Sequence, residues 1–304
     1  MKKIELFNKI KQKAFTLHLI FLSLIFRLKA GYNLIGKEFD NYGRKISWLF
    51  LLKGFKKQFL YLLCNPVNNT RYFEFKFASE SLNWTSIQSC LDISSPRLFF
   101  IFLIQKYQNI KVEGLNPDIQ DLKETEQYLK VLNFSHRANL VSYDATRLPY
   151  PDNYFDAITS ISVIEHIPED GDSKAIKEMW RVLKSKGKLI ITVPCAKNYY
   201  EEWRDNDVYN LGNPKKENKF FFQRFYDNYN IKNRLVNTIG VNPIKMNVFG
   251  EKCQGDFEAY IQRWLQFGLQ ETIKDPLYIA NNFQFFNSID NLPGTGVCGL
   301  IFEK

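Results

Sequence analysis

Four polar clusters recur down the middle of this chain, each closing an apolar run. Asp92, Ser94 and Ser95 close Ser89–Ile93, and Asn116 and Asp118 follow Ile110–Leu115. Asp144 follows Asn139–Tyr143, and Glu165 with His166 follows Phe155–Val163. Carboxylates, amides and hydroxyls of this kind can grip the hydroxyl and amino groups of a polar small molecule. A histidine next to a glutamate can move a proton near neutral pH. Taken singly, each residue is equally well explained as a cap on the helix that follows it. In open α/β sheets, however, ligands bind outside the carboxyl ends of the strands near the switch point. Four polar strand ends in succession therefore point to one ligand site. Metal chemistry is not indicated, because His18, His136 and His166 are scattered. The five cysteines form no CxxC pair and are odd in number, which fits reduced structural thiols in a cytoplasmic chain.

The elements that must position these groups can be read from hydropathy. Helices are expected over 97–107, 118–132 and 174–183, the last with Ile176, Met179, Trp180 and Leu183 on one face. They alternate with strands at 89–93, 110–115, 139–143, 155–163 and 188–193, the fifth stopped by Pro194. RYFEFKFA, residues 71–78, alternates partly and reads as a short strand or extended linker. Later strands are expected at 244–249 and 296–303, with a helical stretch at 256–274 between them. Strand–helix alternation at this spacing argues a doubly wound, mostly parallel sheet.

The run YDATRLPYPDNYFDAITSISVIEHI (143–167), followed by EMWRVLKSKGKLIITVP (178–194), resembles the class I S-adenosylmethionine-dependent methyltransferases. The resemblance covers residues 89–194 and implies a seven-stranded Rossmann-like methyltransferase fold with S-adenosyl-L-methionine as cofactor. It implies that Asp144 meets the adenine amino group, with backbone contact from Ala145. Asn116 stands where an acid usually grips both ribose hydroxyls, and Asp118 could substitute. The same residues also read as helix-capping groups around Pro117, and both readings stay open. Ser94, Pro96 and Leu98 stand where the family places glycines. Ser95 as N-cap and Pro96 at the first helical position still encode strand, turn and helix. Asp92, Ser94, Ser95 and Ile161 complete the expected cofactor-binding set.

Methyl transfer from a sulfonium needs alignment and exclusion of water more than acid–base groups. An acceptor that must lose a proton would use a base, and His166, with Glu165 beside it, is the candidate. In a quinone-methylating branch of the family a comparable Glu–His pair helps bind a metal with another acid. Here Ser162 occupies the position three before Glu165, and no metal is expected. The aromatic-rich stretch 195–240 reads as a lid or acceptor wall, or as ordinary core. Tyr199, Tyr200 and Trp203 are its acceptor-facing candidates, and Arg224 is a candidate partner for an anionic or sugar-like acceptor.

Net charge is +9 but unevenly placed. Residues 1–60 carry 13 Lys and Arg against three acids, a balance of +10, so the remainder sums to −1. Within this basic segment lies FTLHLIFLSLIF (15–26), twelve residues where a membrane span needs roughly 20. The segment is read as a helix packing on the body, with peripheral membrane contact as the alternative. FKKQFLYLL (55–63) repeats the basic–apolar mixture. Nucleic acid is not the expected partner, since the basic charge is not spread along the sheet edge. The expected organisation is a helical extension over 1–85 and a methyltransferase domain over 86–304. The expected function is methyl transfer to a small or medium-sized acceptor, glycan- or lipid-linked ones included. The alternative is a degenerate methyltransferase-like domain that binds without turnover.

Overall fold

The computed structural model describes residues 2–209 and 211–304, with side chains given for residue 11 and from residue 13 onward. Lys2, Lys3 and Lys9 of the expected membrane-facing segment thus have side chains outside the described set. Four helices come first: α1 (Lys2–Ala30), α2 (Lys37–Leu52), α3 (Lys56–Cys64) and α4 (Arg71–Ser79). Alternation follows with β1 (Ser89–Ile93), α5 (Arg97–Lys106), β2 (Lys111–Leu115), α6 (Ile119–Val131), β3 (Ala138–Val141), β4 (Phe155–Ile161), α7 (Gly171–Val182) and β5 (Leu183–Ala196). Next come β6 (Tyr200–Arg204), β7 (Lys215–Lys216), β8 (Lys219–Phe225) and the helical turns α8 (Asn228–Asn230) and α9 (Asn237–Ile239) around a π-turn. The chain ends with β9 (Lys245–Glu251), α10 (Asp256–Phe267), α11 (Leu269–Thr272), α12 (Asp275–Asn282), β10 (Phe283–Phe286) and β11 (Thr295–Glu303).

The main sheet has strand order β10-β9-β11-β5-β4-β1-β2-β3. Strands β1 to β5 pair in parallel, and β11 runs antiparallel between β5 and β9. The parallel, doubly wound expectation holds. Among the described residues the sheet has eight strands rather than seven, because β10 adds itself beyond β9. The order reverses at β1, which lies between β4 and β2, and the crevice for a ligand opens there. The central strands are buried on both faces, with Leu91, Ile158, Leu189, Ile191 and Leu300 in one core cluster. That is why they read as continuous apolar runs.

Two expectations are corrected. Residues 71–78 form α4, a helix, not a strand or linker. Phe73, Phe75 and Phe77 imitate a strand's period of two, but Tyr72, Glu74 and Ala78 are buried as well. A helix buried nearly all round carries no 3.6-residue signal. Pro194 does not stop β5, which runs on to Ala196. The Thr192 carbonyl accepts from Ser162 N–H, so the edge of Pro194 two residues on also faces β4, which has already ended. The missing proline N–H therefore costs no ladder bond, and the Pro194 carbonyl accepts from Tyr226 N–H at 3.0 Å.

The chain divides into two compact units, Met1–Tyr72 with Asp256–Phe283, and Phe73–Gly255 with Gln284–Lys304. This differs from the expected boundary at residue 85. The 256–283 helices join the N-terminal ones because Ile273 and Leu269 share a core with Leu19, Ile20, Phe26 and Cys64. Within this first unit α1 buries the stripe Leu19, Ser23, Arg27 and Ala30. Arg27 pairs with Asp40 through two hydrogen bonds of 2.7 and 2.8 Å, and also donates to the Cys64 carbonyl. The helix is much longer than its twelve-residue apolar run. By length and composition alone, Lys13–Asn33 would suffice to cross a membrane. The buried Arg27–Asp40 pair instead ties α1 into its unit.

Candidate active site

Asp92, at the penultimate position of β1, is buried, and both its oxygens are engaged. Thr159 Oγ1 of β4 donates to one at 2.6 Å and Ser95 N–H to the other at 3.1 Å. Burial pushes the Asp92 carboxyl up to about 6, against the pull of these two donors. Ser94 takes a left-handed φ of 49°, the conformation for which glycine is favoured. Its N–H and its hydroxyl both donate to the Leu115 carbonyl, at 2.7 and 2.9 Å. The glycine-free turn is thus built by hydrogen bonds that offset the cost of a Cβ. Ser95 is not the N-cap of α5. Its Oγ accepts the Ile161 N–H at 3.0 Å, just past the last β1–β4 backbone pair, and Pro96 takes the cap position without a side-chain cap. Ile161, expected to contact the cofactor, has a fully buried side chain. Leu98 packs inward, as expected of a helix residue.

Asn116 and Asp118 both serve the start of α6. Asn116 Oδ1 accepts from Asp118 N–H at 2.9 Å, and Asp118 caps the helix by accepting from Gln120 N–H at 2.8 Å. Asn116 Nδ2 donates to Asp121 at 3.0 Å, and Arg97 pairs with the same carboxylate. The same edge therefore holds a second acid beside Asp118, Asp121, which sequence reasoning passed over. Its signal was present: an acid in the first turn, five residues after Asn116. Asp144 is exposed, and one of its oxygens accepts from Thr146 N–H at 2.8 Å, while Ala145 beside it is buried.

Beyond β4 the chain turns through Ser162, at φ 47°, into a short helical turn Ile164–His166. His166 Nδ1 lies 2.7 Å from the Phe222 carbonyl of β8, so this nitrogen must carry the proton. In the neutral ring Nε2 is then the acceptor. Tyr209 Oη stands 3.5 Å from Nε2, and Glu165 Oε1 3.8 Å from it. The rings of Phe222 and Tyr209 pack edge-on against the imidazole at centroid distances of 4.9 and 5.1 Å. Tyr209 was legible only as one aromatic among many. Glu74 was missed entirely: its carboxylate on α4 accepts from Ser162 Oγ at 2.8 Å and Thr192 Oγ1 at 2.9 Å.

The aromatic stretch forms a three-stranded sheet of order β6-β8-β7. Tyr200 stacks on Phe225 at 4.4 Å, and Trp203 meets Phe221 edge-on. Tyr199 donates to Glu201 at 2.9 Å. Arg224 corrects an expectation. It is 0% exposed, with Nη1 3.1 Å from Asp172 and Nη2 donating to the Glu169 carbonyl. Tyr226 and Arg234 hold the same Asp172 carboxylate. Burial and pairing with Asp172 leave Arg224 no exposed surface with which to meet an acceptor.

The donor set suits an adenosyl amino acid. Asp144 offers an exposed carboxylate for an amino group, Asn116 and Asp121 offer polar groups for vicinal hydroxyls, and no side chain caps the N-terminus of α5, where a carboxylate is favoured.

Comparison with known proteins agrees. Residues 97–191 match the family model described as a methyltransferase domain. The sterol 24-C-methyltransferase of Aspergillus fumigatus is 30% identical over 113 residues, 37% of this chain and 27% of that protein. The ubiquinone/menaquinone biosynthesis C-methyltransferase of Edwardsiella ictaluri is 36% identical over 81 residues, 26% of this chain and 32% of that one. The chain thus spans about a third or less of the length of these relatives. Among solved structures, the O-methyltransferase of a trans-AT PKS multienzyme from Brevibacillus brevis, in complex with S-adenosyl-L-homocysteine, superposes with a TM-score of 0.50. It shares 13% identity, over 76% of this chain and 71% of that one, and speaks for the fold alone. Motif, fold and strand-end chemistry coincide: residues 97–191 match a methyltransferase domain, and they lie in a doubly wound sheet of the Rossmann-like methyltransferase kind.

Proposed function

We propose that the protein transfers a methyl group to a small or medium-sized acceptor, leaving S-adenosyl-L-homocysteine. The observation that carries this reading is His166, held as the Nδ1–H tautomer by the Phe222 carbonyl beside the polar strand ends. When bound, the cofactor supplies an electrophilic methyl on a sulfonium. The residues of the chain do the rest. Asp92, Ser94 and Ser95 fix the turn, and Asp144 and Asn116 orient the nucleoside. His166 Nε2 takes the proton from the acceptor, and Glu165 at 3.8 Å favours the imidazolium that results. Phe222 and Tyr209 keep water from the imidazole. An apolar acceptor, such as a lipid-linked one, suits this aromatic wall, and the relatives are named for a sterol and for ubiquinone/menaquinone biosynthesis.

Calorimetric titration with S-adenosyl-L-homocysteine tests the reading. Wild type is expected to bind, and Asp144→Ala to bind about tenfold or more weakly, since a hydrogen bond to a charged group contributes about 1.5–3 kcal/mol. A wild-type protein that does not bind would favour a non-catalytic binding domain.

A second reading adds a partner: residues 1–60 touch a membrane peripherally. Its support is a second face of α1, on which Leu17, Phe21, Leu24 and Leu28 are exposed, Phe21 to 61% and Leu28 to 80%. Their spacing places them on one stripe about 16 Å long. Exposed Lys11, Lys13 and Lys29 accompany it, and this segment holds the chain's positive charge. An apolar stripe with lysines fits the interface of an anionic bilayer. Co-sedimentation with phosphatidylglycerol vesicles, lost on Phe21→Ser with Leu28→Ser, is the expected result. Equal sedimentation of the two proteins would remove the idea.

A further inference from the structure

We propose that Glu74 is a positioning residue that holds the turn carrying Glu165 and His166. The inference rests on the reading of that turn as the acceptor-side machinery. Glu74 is fully buried on α4, and its Oε2 draws in two hydroxyls, Ser162 Oγ at 2.8 Å and Thr192 Oγ1 at 2.9 Å. These two residues belong to neighbouring strands, Ser162 just past the end of β4 and Thr192 inside β5. Ser162 N–H closes the triangle, lying 2.9 Å from the Thr192 carbonyl and 3.1 Å from its hydroxyl.

The triangle holds a conformation that the chain would otherwise avoid. Ser162 sits at φ 47°, in the left-handed region that a residue carrying a Cβ disfavours. That single residue sets the direction in which the chain leaves β4. Val163 follows, then the Ile164–His166 turn, closed by His166 N–H donating to the Val163 carbonyl at 3.0 Å. If Ser162 relaxes toward an ordinary φ, the turn swings, and the bond from His166 Nδ1 to the Phe222 carbonyl is the one it puts out of reach. Glu74 acts on the base only through this path. What it must supply is an acceptor oxygen for two hydroxyls, which an amide oxygen can also provide.

Three histidines make the readout tractable: 15N-histidine spectra, with His166 assigned by its absence in His166→Asn. Wild type is expected to show His166 as a single Nδ1–H tautomer. Glu74→Ala should give tautomer-averaged shifts. Its affinity for S-adenosyl-L-homocysteine should stay within about threefold of wild type, well under 1.4 kcal/mol, because the cofactor turn is built on β1. Glu74→Gln should keep the wild-type spectrum. Adding Ser162→Gly to Glu74→Ala should restore much of it, because glycine adopts a positive φ without a Cβ penalty. A wild-type tautomer in Glu74→Ala overturns the proposal. So does a Glu74→Gln spectrum as averaged as that of Glu74→Ala, which would mean that charge is what matters. If Glu74→Ala does not fold, Ser162→Ala removes one donor and keeps the Glu74–Thr192 bond. Averaged His166 shifts in that folded variant support the proposal, and an unchanged tautomer overturns it. Failure of wild type to bind S-adenosyl-L-homocysteine would strike the proposed function and leave the tautomer result standing.

Discussion

Asp92 shows how much a single side chain does beneath this site. It links β1 to β4 through Thr159 and fixes the turn after β1 through Ser95. Being buried, it keeps a proton up to a pH of about 6, above the ordinary value of 3.8 for an aspartate. Between these two pH values the folded protein holds more protons than the unfolded chain. This contribution to stability is therefore greatest below about pH 4 and declines as pH rises through 6. A shift of some two units corresponds to about 3 kcal/mol. Urea unfolding of wild type and Asp92→Asn from pH 4 to 7 should show the difference moving by up to that amount in favour of the Asn variant. A difference constant across the range would mean that Asp92 titrates like an exposed carboxyl. The residue itself was legible from its place at a strand end. Its burial was not, because nothing local announces Thr159, 67 positions away.

At the scale of elements, α4 is where local pattern and structure part company. Its alternating phenylalanines look like a strand, and the helix is decided by what each ring meets. Phe73 stacks on Phe249 of β9 at 5.1 Å. Phe77 lies over Gly299 of β11, where an added Cβ would fall 2.6 Å from Cε1 and 2.7 Å from Cδ1 of the ring. Gly299→Ala should therefore push Phe77 off the sheet and destabilise the protein by about 1–3 kcal/mol, with Phe77→Leu recovering part of the loss. Denaturant midpoints measure this, and an unchanged midpoint would show that α4 tolerates displacement from β11. By contrast, β1, β2, β9 and β11 were readable to within a residue or two, because each is a compact apolar run bounded by polar or turn residues. Pro194 misled because a proline stops a strand only where its N–H is needed.

At the scale of the whole molecule, charge and chemistry are segregated along the chain. The body beyond residue 60 is nearly neutral, while residues 1–60 hold a balance of +10. Binding to anionic vesicles should therefore weaken as salt rises from 0.05 to about 0.5 M, where the Debye length falls below about 5 Å. A remnant should persist from the apolar stripe of α1. Binding indifferent to salt would assign the contact to the apolar face alone, and vesicles of neutral phosphatidylcholine separate the two contributions. The grouping of 256–283 with the N-terminal helices was not visible in the sequence. A shared core of Leu19, Cys64 and Ile273 joins segments about 200 residues apart, and no periodicity encodes which amphipathic faces will meet.

The sequence by itself determined the alternating sheet, its polar strand ends and the resemblance to a methyltransferase domain, because hydropathy period and strand-end chemistry are local properties. Only the tertiary structure decided which groups work together. It set Glu74 against Ser162 across 88 residues and His166 against the Phe222 carbonyl across 56. It also placed Arg224 in a buried ion pair with Asp172. Such partnerships follow from packing between distant segments, where shape and hydrogen-bond satisfaction choose among many polar residues that look alike in sequence.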